Sequence, residues 1–371
     1  MSDDEEELPE PHRVIRMMRL DDPVAVIADS EAWRARDTYP DILPRGPMFA
    51  VTEQEADGRW RVLTADEGGP QGSRDELGRT CRMRARAAAD AGRGAAERAW
   101  MAAARRMDRE KLDELHVADC RFRIARGDMF LRLGPEGPEP PRPSDPDPMP
   151  VGRGRQSRSR TAGFLIDPTA ATGMSEGLLK LDLLKYVYAS AVIPVDVRAD
   201  SVLALHTHPG GVLLPPVFSV FVRGTGAGWI ARATGADTPQ EARDGLARRF
   251  ETLLPASLRR TRSRPPGLPE MPQQLKNVMA GQLGLLDPGE ERLTDEQLAE
   301  CARAATRLSG ERLDRIVVLG RHFRITRLER LVRLGPDGPE PPRPSDWDPE
   351  LPVEAHAPPE EADDAARADE G

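Results

Sequence analysis

The chain has 371 residues, 39 % of them hydrophobic and 31 % charged, with a net charge of −9. That length allows two or three domains with a sizeable core, while the lack of any run near the roughly 18 apolar residues needed to span a bilayer excludes a membrane-spanning helix. The acidity sits in the tails: residues 1–10 carry six acids and no base, and residues 350–371 carry eight acids against Arg367, so the body between them is mildly basic.

Tails of this kind repel themselves and bury too little apolar surface to fold. Residues 1–12 and 350–371 are therefore expected to be disordered, and an acidic start is the opposite of a secretory signal. Val24 to Arg36 has helical apolar spacing, with Asp21 or Asp22 as the cap. Met48 to Thr52 and Arg59 to Thr64 are β-rich runs about the polar turn Ala56-Asp57-Gly58, which predicts a hairpin. Pro70 suits the first turn of a helix running through Leu77 toward Ala89, with Gly92 and Gly94 as its breakers. Ala95 to Met107 reads as a further helix. Leu112 to Val117 and Arg121 to Arg126 read as two more strands.

The same order then recurs. FRIARGDMFLRLGPEGPEPPRPSDPDP at 122–148 matches FRITRLERLVRLGPDGPEPPRPSDWDP at 323–349 without a gap, at an offset of 201. A second block matches at an offset of 169, placing Phe49 with Phe218, Trp60 with Trp229, and Arg74-Asp75 with Arg243-Asp244. The spacing predicts a tandem duplication of an α-β-β-α-α-β-β unit. Copy one spans 13–148, an Arg/Gly/Ser linker spans 149–161, and copy two spans 162–349 with an insertion near 255–290. In copy two, Thr294 to Gln297 forms a capping-box pattern. Hairpins pair antiparallel, so the expected class is α+β. The Pro-rich run closing each copy is barred from helix and interior strand. It is expected to lie on its own domain as a strap, with a PxxP ligand for another protein as the alternative.

The paired FRI…RLGPxGPEPPRPSD blocks, the GxW strand and the PQxxRD helix start resemble an uncharacterised actinobacterial family catalogued only as a domain of unknown function. The resemblance covers most of 13–349. It implies a GC-rich, cytoplasmic origin and brings no catalytic residues with it.

Candidate chemistry is sparse. Leu205-His206-Thr207-His208-Pro209 resembles the zinc motif of JAMM-type metalloproteases, and two histidines at i, i+2 on an extended chain can share a metal. The family's carboxylate is missing, because Val222 follows Ser219 at its place. The segment also faces Asp37-Thr38-Tyr39-Pro40 of copy one, so a helix end and turn is the preferred reading. Gly224 to Gly228 lies between two strands and reads as a hairpin turn rather than a phosphate loop. Cys81, Cys120 and Cys301 have no metal or redox spacing and read as reduced structural thiols. Two basic stretches, Arg153 to Arg160 and Arg259 to Arg264, lack the interleaved aromatics of a base-stacking surface.

The expected function is a non-catalytic protein-binding or regulatory module without cofactor. Its partner surface would be a groove between the copies near Trp60, Trp229, Pro140 and Pro341. The alternatives are a metal-dependent hydrolase using His206 and His208, and nucleic-acid binding through the Arg-rich linkers.

Overall fold

A computed structural model describes residues 15–18, 21–66, 68–156, 158–224, 228–232, 235–255, 271–286 and 289–353. The tail 1–12, residues 354–371, the arginines of 259–264 and residues 225–227 of the glycine-rich turn lie outside the described residues.

The first half runs α1 (Pro23–Thr38), β1 (Asp41–Gln54), β2 (Trp60–Asp66), α2 (Pro70–Asp90), α3 (Gly94–Arg109), β3 (Glu114–Val117), β4 (Cys120–Gly134) and β5 (Gly137–Pro138). The second half begins with β6 (Leu165–Ile166) and α4 (Met174–Leu184). It then repeats the order as α5 (Val195–Thr207), β7 (Gly210–Arg223), β8 (Trp229–Ala231), α6 (Pro239–Leu253), α8 (Asp295–Leu308), β9 (Arg315–Val318), β10 (Arg321–Gly335) and β11 (Gly338–Pro339). Helix α7 (Gln273–Gln282) falls within the expected insertion, between α6 and α8. Among the described residues no helix is long and apolar enough to cross a membrane.

Local chemistry sets the helix starts. Asp22 accepts the N–H of Ala25 at 2.8 Å, and Thr294 with Gln297 closes a reciprocal capping box on α8. Pro70 and Pro239 occupy the first turns of α2 and α6, where the missing N–H costs nothing. Gly92 turns the chain after α2 at φ +68°, but Gly94, expected to end a helix, opens α3. On one face of the sheet α2 and α3 bury Leu77, Trp100 and Met107 against Phe122 and Ile124. Helices α6, α7 and α8 do the same in the second half, with Leu246, Phe250 and Leu308 against Phe323 and Ile325.

Every ladder between these strands is antiparallel, and together they form one α+β sheet in the order β6-β2-β1-β4-β10-β7-β8. At its centre β4 pairs with β10, from Leu131 opposite Leu328 to Gly127 opposite Val332. Met129 faces Arg330 in the middle, and at an offset of 201 this ladder maps onto itself. A local twofold axis therefore passes through that pair. The halves are joined by main-chain hydrogen bonds rather than parted by the groove expected between them.

Strand β4 also runs far beyond the stretch 121–126 read from sequence, and β10 is equally long. Charges interrupt their apolar alternation, yet Arg126, Asp128 and Arg132 are only 3 %, 6 % and 4 % exposed. The Pro-rich straps explain this burial, and they refine a second expectation: each starts on its own half and crosses onto the opposite one. Glu139 donates its N–H to the Arg132 carbonyl of β4 and accepts the N–H of Arg327 from β10. Glu340 does the converse, with Arg333 of β10 and Arg126 of β4. Past these crossings, Asp145 accepts from Arg327 Nε at 3.0 Å and Asp346 from Arg126 Nε at 3.0 Å. Pro140 and Pro341 are half-buried at the crossings.

Candidate functional site

The crossed straps end in matching ion clusters that explain the recurring arginine of α2 and α6. Arg74 holds Asp113 and Asp348, each at 2.7 Å. Arg243 holds Asp314 and Asp147, each at 2.6 Å. In each case one carboxylate comes from the helix's own half and the other from the opposite half's strap. These arginines lock the straps, and the neighbouring Asp244 accepts the N–H groups of Gly152 and Gly154, docking the start of the Arg/Gly/Ser linker on α6.

Trp60 and Trp229 occupy equivalent places beneath the hairpin tip of the opposite half. Gly338, at φ +113°, lies flat against the Trp60 ring, and Gly137, also at φ +113°, against Trp229. Each ring carries two guanidinium groups: Arg121 and Arg123 at 5.3 and 5.2 Å from the Trp60 centroid, Arg223 and Arg324 at 5.3 and 5.5 Å from that of Trp229. These distances suit cation–π attraction. Trp60 is 3 % exposed and Trp229 is half-buried.

The electrostatics of the two places differ. At Trp60 the cations are answered from within. Arg121 donates to Glu114 at 2.7 Å and to Asp337 at 2.9 Å, and Arg123 donates to Glu114 at 2.7 Å and to Asp337. Burial alone would raise the Glu114 carboxyl, but Arg121 and Arg123 hold it down to about 2; the same two arginines hold Asp337 down to about 2. Carboxyls depressed in the folded state stabilise it above their ordinary values and lose that contribution as pH falls through the folded ones. Glu114→Gln is thus expected to lower the urea midpoint at pH 7, with the difference from wild type shrinking between pH 4.5 and about 2. Equal differences at pH 7 and pH 2 would contradict this account.

At Trp229 the carboxylate is replaced by a cation. Glu114 stands directly opposite Arg123 on the β3–β4 ladder, whereas the matching β9–β10 pair sets Arg315 opposite Arg324. Arg223 and His322 form the next opposed pair, and Arg307 enters from the last turn of α8. With Trp229 and Glu136 these side chains line a cavity of about 540 Å³. Arg324 is 7 % exposed and donates to the Pro138 carbonyl at 2.7 Å. Burial first, and then Arg315 and Arg223, push its guanidinium below the ordinary value, with Tyr39 and Glu136 opposing. Among the described residues no carboxylate comes within 4.0 Å of the guanidinium nitrogens of Arg223, Arg307, Arg315 or Arg324. The basin offers convergent donors and positive charge over an aromatic floor, an arrangement suited to holding an anion.

The sequence candidates fare differently. Trp229 lines the basin, Trp60 is buried beside a separate cavity of about 610 Å³, and Pro140 and Pro341 belong to the strap crossings. His206 lies in the last turn of α5 and His208 caps its end, so the extended chain assumed for a shared metal is not formed. The His208 ring packs against Gly335 as Tyr39 packs against Gly134, and burial pushes His208 below its ordinary value. Among the described residues no three His, Cys, Asp or Glu side chains are grouped to hold a metal. Burial pushes the Cys81 thiol up to about 11 and that of Cys301 up to about 12, which makes them poor nucleophiles. Sequence reasoning missed Arg223, Arg307, Arg315 and Arg324. The available signal was the break in the repeat at Glu114 and Arg315.

No curated protein and no solved structure matches the chain. One family model, described only as a family of unknown function (DUF5954), matches residues 22–349, almost the whole described body, and the chain belongs to that family.

Proposed function

We propose that the protein is a non-catalytic binding or regulatory module whose ligand-binding surface is the basin around Trp229 and Arg324, and that it takes an anionic group there. The observation that carries this reading is the charge inversion at one ladder position, Glu114 opposite Arg123 against Arg315 opposite Arg324. Like charges directly opposite on a ladder destabilise it by roughly 0.2–1 kcal/mol. Here one of the two is also desolvated, so the pair costs stability until an anion from outside offsets it. Guanidinium groups bind and orient but are not proton-transfer groups, which favours recognition over catalysis. The crossed straps support the same reading, because a basin held rigid from two sides loses little entropy on binding. A cytoplasmic location, where thiols stay reduced, belongs to this proposal.

The test is titration of the full chain with citrate, a trivalent carboxylate probe, followed through the Trp229 indole N–H by NMR. Wild type is expected to show a saturable shift that weakens with salt. Arg315→Glu, which restores the charge found in the other half at an exposed position, is expected to weaken binding by about tenfold or more, equivalent to about 1.4 kcal/mol. An unmoved indole signal in wild type, or identical titrations for the two proteins, would remove the proposal.

A further inference from the structure

The geometry points to a phosphate monoester on a small organic carrier as the group the Trp229 basin takes, an inference that rests on the anion-binding reading above. The first half displays the filled form of the arrangement. There the guanidinium pair over the tryptophan is neutralised by two separate carboxylates, Glu114 and Asp337. In the second half the counterparts of those carboxylates are Arg315 and Glu136, so one acid is lost and one cation gained. An occupant has to supply about two negative charges. A phosphate monoester carries about −1.5 to −2 at pH 7 with three terminal oxygens, whereas a carboxylate or a phosphodiester carries one charge.

The direction of the donors agrees. Arg223, Arg307, Arg315 and Arg324 come from four different elements, β7, α8, β9 and β10. Guanidinium forks arriving from several sides match a tetrahedral oxyanion better than a planar one. Arg324 is pre-oriented between the Pro138 carbonyl and the Trp229 ring. The ring itself has Gly137 packed on it and two guanidinium groups over it, which leaves no clear face for stacking a nucleic-acid base. A cavity of about 540 Å³ is larger than a bare phosphate requires, and Val317, exposed at its rim, offers apolar surface to a carrier.

The experiment is calorimetric titration of the full-length protein with phenyl phosphate, inorganic phosphate, benzenesulfonate and benzoate at one ionic strength. Phenyl phosphate is expected to bind about tenfold tighter than benzenesulfonate or benzoate. Its affinity should rise as pH passes about 6, where the second phosphate proton leaves, while that of benzenesulfonate should not follow. Arg307→Gln, on the exposed last turn of α8, should weaken phenyl phosphate several-fold without a change in Tm. Equal affinity for the three aromatic anions, or no gain above pH 6, overturns the phosphate inference and leaves the anion site standing. Tighter binding of inorganic phosphate than of phenyl phosphate overturns the organic carrier. Failure of all four probes together with citrate removes the binding site itself.

Discussion

Arg327→Leu is expected to destabilise the protein by about 3–5 kcal/mol, the usual cost of stripping one partner from a buried ion cluster. The Arg327 side chain is 9 % exposed and reaches Asp145 of the crossing strap at 3.0 Å as well as Glu329 on its own strand. Burial alone would raise the Glu329 carboxyl, but Arg327, Arg142 and Arg132 hold it below its ordinary value. Without Arg327, Glu329 and Asp145 lose their shared cation inside the protein. The folded pKa of Glu329 then moves upward, because the burial that raises it is no longer answered by Arg327. A group raised in this way gives its full contribution below the unfolded value and loses it as pH rises. The defect should therefore be larger at pH 8 than at pH 5 in urea unfolding. Replacing Arg327, Glu329 and Asp145 together by apolar or neutral residues should recover part of the loss, because a removed cluster costs less than a broken one. A change below 1 kcal/mol for Arg327→Leu would mean that the strap crossing does not hold the halves together.

A second pair of variants separates folding from binding. A Cβ on Gly137 would sit 2.7 Å from the Trp229 ring and one on Gly338 2.5 Å from Trp60 Nε1, and both backbones stand at φ +113°. That region is open almost only to glycine, so alanine at either position is expected to cost about 1–3 kcal/mol, with ring displacement adding to it. The stability losses should be alike, since the two tips are equivalent. The binding losses should not be. Gly137→Ala displaces the floor of the cationic basin and should weaken citrate and phenyl phosphate, while Gly338→Ala disturbs the place at Trp60, where Glu114 and Asp337 already answer the arginines. Thermal unfolding together with calorimetry decides the matter. Equal loss of anion affinity in the two variants would show that the Trp229 basin is not the binding surface.

Local chemistry by itself determined a good part of this protein. The cap at Asp22, the helix-opening prolines Pro70 and Pro239, the box from Thr294 to Gln297 and the turn at Asp57-Gly58 all act within a few residues of themselves. Their outcome does not wait for the rest of the chain. Residues 201 apart also stand at matching ladder positions, Glu114 opposite Arg123 and Arg315 opposite Arg324, because similar short-range chemistry favours the same backbone. Strand length was not legible in this way: Arg126 and Asp128 look like the end of a strand until a neutralising strap covers them.

Only the tertiary structure decided where each strap lies. Its contacts, such as Arg126 with Asp346 and Arg327 with Asp145, span 220 and 182 residues, and a proline-rich run carries no periodicity that points to a surface. The basin was hidden for the same reason. Glu114 and Arg315 are ordinary strand charges in sequence, and their meaning depends on what stands opposite. Ladder register brings Arg324 face to face with Arg315, and the crossing hairpin then lowers Trp229 into place beside them. Charge interacts through space and not along the chain, so a site made of like charges appears only when folding has set their neighbours.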